Sequence, residues 1–270
     1  MKHSPPTNLA EHIVDLKFCI ENFNIEPENY TLLTLKEAGI KGDESNLIYT
    51  ADGKIPENFI LNFNEKAKNC RIYFGRGIKG KGTKISFQNE GNVFYIGDNC
   101  SLNKVSIAIL SRNDFVAVGE GVSVTSTGIW STGHNPGKQN NGIIVGDHCL
   151  IASDSMIRPA DGHPIIDLET RKQINISHSP VIIEPYCWIG QRAAILKNVR
   201  IGACSILSFN AVVTKSCDRF SVMGGVPAKA RSIAGKMWLR NNGAEAKQIQ
   251  ALYEKRFANE KAEFIITDAS

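Results

Sequence analysis

The chain has 270 residues, 42% of them apolar, and a formal net charge of +4. That apolar share supports a packed core and excludes a disordered chain, while the lack of any apolar run of about 18 residues excludes a membrane-spanning helix. Seven cysteines, odd in number and scattered without a CxxC pair, exclude a disulfide framework or zinc knuckle and point to a reduced, cytoplasmic chain.

Residues 1–20 carry no uninterrupted apolar stretch behind a basic start, so no signal peptide is expected. Leu9, Ile13, Leu16 and Ile20 fall at helical spacing, with Asn8 and Glu11 placed as a capping box. Residues 30–92 alternate irregularly and are rich in Gly and Asn. They read as short strands and imperfect coils, and residues 1–92 as an N-terminal extension of mixed structure. GRGIKGKGTK at 75–84 lacks the spacing of a P-loop and reads as a basic turn.

From residue 93 the chain counts in sixes. Ile96 and Leu102, Val118 and Val124, and Val145, Ile151 and Ile157 keep the phase. Ile183, Ile189, Ile195, Ile201, Leu207 and Val213 then repeat it without a break. The fifth residue of these last blocks is small: Cys187, Ala193, Val199, Ser205, Ala211, Cys217. Six fits neither a helix nor a long flat strand. It fits a short strand followed by a corner, with three such sides closing a triangular coil and stacked coils burying an aliphatic column. Gly97, Gly119, Gly146, Gly190 and Gly202 follow the aliphatic residue, where a sharp bend calls for a small side chain. Cys100, Cys149, Cys187 and Cys217 at the small position read as buried thiols.

Between Ile157 and Ile183 the count breaks, and loop 158–180 must leave the prism, carrying Asp161, His163, Asp167 and Arg171. Loops on a rigid scaffold are where chemistry is commonly placed. A second break between Val124 and Val145 holds His134, a candidate for lining an acceptor site; His148 reads as solvent-facing, and His178 is given no role. Residues 171–231 hold nine Lys or Arg against two acidic residues, a local balance of +7 that suits a phosphorylated cofactor or another polyanion. After Ala230 the repeat ends. Ile249, Leu252, Tyr253 and Phe257 mark a terminal helix over 244–260, within a 232–270 cap that closes the open end of the stack.

Residues 157–190 resemble the signature of hexapeptide-repeat O-acetyltransferases that modify bacterial surface carbohydrates, including the polysialic acid and capsule enzymes. The matching elements are D-x-H at Asp161–His163, Ile165 and Asp167, I-N at Ile174–Asn175, and W-I-G at Trp188–Gly190. VVTK at 212–215 and GVPAK at 225–229 resemble the coenzyme A region of the wider sugar acetyltransferase family. The resemblance covers roughly 95–232. It implies an all-β fold, a left-handed parallel β-helix over 93–231. It also implies acetyl-CoA as acetyl donor with no metal, a carbohydrate acceptor, and a homotrimer with sites between neighbouring prisms. His163 is then the general base and Trp188 a wall of the active site. Asp161 and Asp167 are both candidates to orient the imidazole. Gln191, Phe209, Thr214, Lys215 and Lys229, with Arg231 nearby, take the coenzyme. At Phe209 the family has a small residue, which departs from the pattern.

Three other readings compete. Transfer to an amine, on an amino-sugar nucleotide or an antibiotic-like acceptor, uses the same scaffold. A γ-class carbonic anhydrase needs two zinc-binding histidines five apart, a spacing missing near the coils. A bare assembly scaffold leaves the D-x-H loop, Trp188 and the basic stretch as coincidences. A nucleic acid partner and a membrane span are not expected.

Overall fold

A computed structural model describes residues 7–133 and 141–257. The chain winds into a three-sided parallel β-solenoid whose faces are sheets of eight, eight and seven strands. Each aliphatic of the six-residue count lands on one of three internal columns. Face one stacks Phe74, Ile96, Val118, Val145, Ile183 and Ile201 in register. Face two stacks Leu102, Val124, Ile151, Ile189, Leu207 and Met223. Face three stacks Ile107, Trp130, Ile157, Ile195 and Val213. All of these are buried and belong to one continuous core.

The corners are turned by residues in the left-handed region, stacked coil on coil. Between faces two and three these are Asn58, Gly82, Lys104, Thr127, Asp154, Arg192 and Asn210. The glycines expected to make the bends have another reason to be small. A Cβ on Gly190 would lie 2.5 Å from the Leu207 carbonyl oxygen, and one on Gly202 would lie 2.4 Å from the Arg219 nitrogen. The backbone of the next coil leaves no room there.

The stack does not begin at residue 93. Strands Leu47–Thr50, Phe59–Phe63, Arg71–Phe74, Lys79–Lys81 and Thr83–Phe87 already run parallel in the same three sheets. Their coils start at Leu47 and Arg71, with the next at Val93, steps longer than three sixes, so a count of six passes over them. An antiparallel strand, Thr31–Thr34, closes the first edge of face one, and Ala228–Ser232 folds back to close the last edge of face two.

The N-terminus forms two short helices, α1 (Thr7–Ala10) and α2 (Ile13–Cys19). Leu9, Leu16, Cys19 and Ile20 cover the outer side of face one, burying Tyr49, Tyr73, Tyr95, Phe115, Ala117, Ile144 and Ile182. The terminal helix α3 (Ala244–Phe257) lies along the corner of faces one and two, with Tyr253 stacked on Tyr186 at 5.1 Å and edge-on to His148 at 5.8 Å. His148 is therefore covered, not solvent-facing, and pairs with Glu120 at 3.5 Å. All seven cysteines are buried and free. Among the described residues no helix is long and apolar enough to cross a membrane.

Candidate active site

Loop 158–180 leaves the stack after strand Ser155–Ile157 on face three and rejoins it at Val181–Ile183 on face one. It therefore emerges at the edge between those faces. Gly162 holds φ +90°, a conformation that suits glycine, and sets Asp161 and His163 on either side of a sharp turn. Asn175 braces that turn. Its Nδ2 donates to the His163 carbonyl at 2.8 Å and to Asp161 Oδ2 at 2.9 Å, while its Oδ1 accepts from the Ile165 amide at 2.8 Å. Lys197 of the next coil anchors the loop from below, bonding Asp161 and the Asn175 carbonyl. Partial burial works against ionising Asp161, but the bonds from Lys197 and Asn175 outweigh it and hold its carboxyl below the ordinary value.

The His163 side chain is exposed, and no hydrogen bond from a described residue reaches its ring. Neither carboxylate weighed as its orienting partner lies on it here. Asp161 is taken by Lys197 and Asn175. Asp167 caps its own turn, accepting from the Thr170 amide at 2.6 Å and the Glu169 amide at 3.1 Å. Those amides keep the Asp167 carboxyl below its usual value. His134 lies outside the described residues.

Trp188 stands on the outer side of face two, in register between Leu150 and Ile206, and is 41% exposed. The same outward row continues to Val222 and then Arg231, with Lys229 opposite Gly224 one step along. Gln191 and Phe209 sit at the corner of faces two and three, where the Asn210 amide donates to the Gln191 carbonyl. Phe209 is 61% exposed. Gln191 Nε2 donates to Asp154 Oδ2 at 3.3 Å.

Thr214 and Lys215 fall elsewhere. They follow strand Val212–Val213 on face three, and Lys215 stacks one coil beyond Lys197, near the base of the His163 loop. The structure thus divides the expected residues into two half-sites on one prism. Trp188, Gln191, Phe209, Lys229 and Arg231 line face two and its corner. His163, Thr214 and Lys215 lie at the edge of faces three and one.

The basic stretch is thinner than its count. Glu184, fully buried, binds Arg200 at 2.6 Å and Arg219 at 2.9 Å, and Arg200 also reaches Asp15 of α2 at 2.7 Å. With Lys197 on Asp161, three of the nine cations serve the scaffold. Nothing local in the sequence marked Glu184 as their partner, because the arginines follow it by most of a coil or more. Lys197 did carry a signal: it holds the same place in the count as Lys215, one full coil earlier.

Fold and site define the class as a hexapeptide-repeat β-solenoid whose regular coils are interrupted by a histidine-bearing loop. The polysialic acid O-acetyltransferases lie among its relatives. The protein of that name from Escherichia coli O1:K1 / APEC is 33% identical over 105 residues, covering 38% of this chain and 33% of its own length. The Neisseria meningitidis protein of that name is 25% identical over 150 residues, covering 50% of this chain and 69% of its own. The crystal structure of the polysialic acid O-acetyltransferase OatWY superposes with a TM-score of 0.61 at 22% identity, covering 74% of this chain and 96% of that one. The match therefore spans only about a third of the E. coli relative. No protein-family profile matches the chain.

Proposed function

We propose that this chain is an acetyl-CoA-dependent O-acetyltransferase that acetylates a hydroxyl of a bacterial surface carbohydrate. The observation that carries the reading is the loop itself: Asn175 and Lys197 hold Asp161-Gly162-His163 outside an otherwise regular stack, with the imidazole exposed. Sugar hydroxyls are weak nucleophiles at neutral pH, and a thioester is a good electrophile. His163 takes the hydroxyl proton as the oxygen attacks the thioester carbonyl; the tetrahedral intermediate collapses, the C–S bond breaks, and the imidazolium returns the proton to the thiolate. No acyl-enzyme forms. Acetyl-CoA supplies the acetyl group; the exposed Lys215, Lys229 and Arg231 suit its phosphates.

The site in this reading is shared between copies in a homotrimer. Three features support that. His163 and Trp188 lie on different sides of one prism. Face one is covered by the chain's own N-terminus, whereas among the described residues the segment around Trp238 covers the outer side of face two only in part, leaving Trp188 41% exposed. The loop displays Ile165, Leu168 and Ile174 at 55%, 77% and 65% exposure, an apolar tip suited to a protein neighbour.

The test is thiol release from acetyl-CoA with a panel of sialic acid polymers, other capsular polysaccharides, free sugars and amino-sugar nucleotides. Acceptor-dependent release on a hydroxyl sugar that falls at least ~10²-fold in His163→Ala is expected. Release with an amine acceptor alone makes the enzyme an N-acetyltransferase. Release indifferent to His163→Ala removes the general base, and a fully active monomer by light scattering removes the shared site.

A further inference from the structure

Trp188 projects from a two-residue strand, Trp188–Ile189, into solvent. An outward side chain on such a strand has little of its own coil to hold it. Among the described residues, the aromatic ring against it is Trp238, with centroids 6.2 Å apart and planes tilted by 44°. Trp238 comes from outside the repeat, in the segment after the closing hairpin. Unlike Trp188 it is buried, at 7% exposure.

Trp238 is fixed from several directions. Its indole N–H donates to the Tyr186 carbonyl at 2.9 Å, and the Tyr186 hydroxyl donates back to the Trp238 carbonyl at 3.3 Å. The two rings stack at 4.5 Å and 21°. Tyr186 occupies a left-handed corner position, φ +58°, so its ring is set by the coil, and Tyr253 of α3 stacks on it at 5.1 Å. Two positions on, Arg240 Nη2 reaches the carbonyls of Gly121, His148 and Cys149 at 3.4, 3.2 and 3.4 Å and pins the segment across successive coils. The rigid element is therefore Trp238, and Trp188 is the ring it can hold.

We propose that Trp238 is a positioning residue: it fixes the indole of Trp188 on the outer side of face two in the orientation the reaction uses. This rests on the reading of Trp188 as a wall of the active site. The physical reason is entropic and geometric. An exposed indole samples several rotamers, and a neighbouring buried ring removes all but those that pack against it. The terminal segment thereby takes part in the site although none of its residues belongs to the repeat.

The experiment labels the protein with 5-fluorotryptophan, which reports on Trp130, Trp188 and Trp238, and combines this with a double-mutant cycle. In Trp238→Leu the Trp188 fluorine signal is expected to move toward the exposed position and change width, while that of Trp130 in the core stays. With the acceptor found above, kcat/KM is expected to fall about tenfold in Trp238→Leu but less than about twofold when the same change is made in a Trp188→Ala background. An unmoved Trp188 signal overturns the proposal, as does an equal fall in both backgrounds, which is the mark of a purely structural role. If Trp238→Leu does not fold, Trp238→Phe keeps a ring on Tyr186, and the same signals and cycle are read with smaller changes expected. Native kcat/KM in Trp188→Ala alone overturns the reading of Trp188 itself, and the fluorine signals separate that failure from a failure of positioning.

Discussion

The coils before residue 133 and those after residue 180 build the same prism with different lengths of chain. An early coil runs from Val93 round to Phe115 and uses strands of four, three and five, namely Val93–Ile96, Ser101–Asn103 and Val105–Ile109. A late coil closes in three sixes, from Ile183 to Ile201, and uses strands of two, as in Trp188–Ile189, Ala194–Ile195 and Arg200–Ile201. What lies outside also differs, from face to face. Phe115–Val118 is buried at all four positions because the N-terminal helices cover face one. A strand buried on both sides reads as a continuous apolar run. Trp188–Ile189 on face two, with only Trp238 against its outer side among the described residues, buries Ile189 in the prism and leaves Trp188 41% exposed. The bare part of the stack carries the residues read as the site.

The largest test of that division is catalytic. Exchange of the early basic residues Lys79 and Lys81 for Gln is expected to leave kcat within about threefold, whereas His163→Ala lowers it at least ~10²-fold with little change in melting temperature. Acceptor-dependent thiol release measures both. Comparable losses from the two changes would erase the contrast.

Stability comes next. Glu184→Ala leaves Arg200 and Arg219 without their buried partner and is expected to cost about 3–5 kcal/mol by denaturant unfolding. A corner change in the early coils should cost far less. Gly82 holds φ +67° with nothing within 4 Å of an added Cβ, so Gly82→Asn is expected to shift stability by under about 1 kcal/mol. At Gly190→Ala the backbone of the next coil must move, and a loss of about 1–3 kcal/mol is expected.

The smallest effect concerns pH. Asp147, at the seam between the N-terminal cover and the coils, is buried, and burial pushes its carboxyl up to about 6 although the Glu21 and Glu120 amides donate to it. The folded chain thus holds a proton there that the unfolded chain releases at lower pH. Stability from this group is greatest below about pH 4 and falls as pH rises to about 6. Unfolding at about pH 4.5 and about pH 7 should show that decline, and Asp147→Asn should flatten it.

Much of this was legible in the chain. Ile183 to Val213 gave the column and its period because identical local units repeat at a fixed distance. The break at 157 announced the loop, and small residues at the fifth position announced buried thiols. The early coils escaped because each takes more than three sixes of chain, and on face one their outward residues are apolar too, which hides which ones point in. Trp130 looked like any tryptophan until its column placed it in the core.

Sequence by itself determined the repeat, the interruption and the residue types available for chemistry, since each is a local property of spacing and composition. Only the tertiary structure decided the rest. It covered face one with α1 and α2, spent Arg200 and Arg219 on Glu184, and set Trp238 against Trp188. It also placed His163 and Trp188 on different sides of the prism. These depend on residues far apart in the chain being brought together by the winding of the coil, and no local pattern records where a winding chain will touch itself.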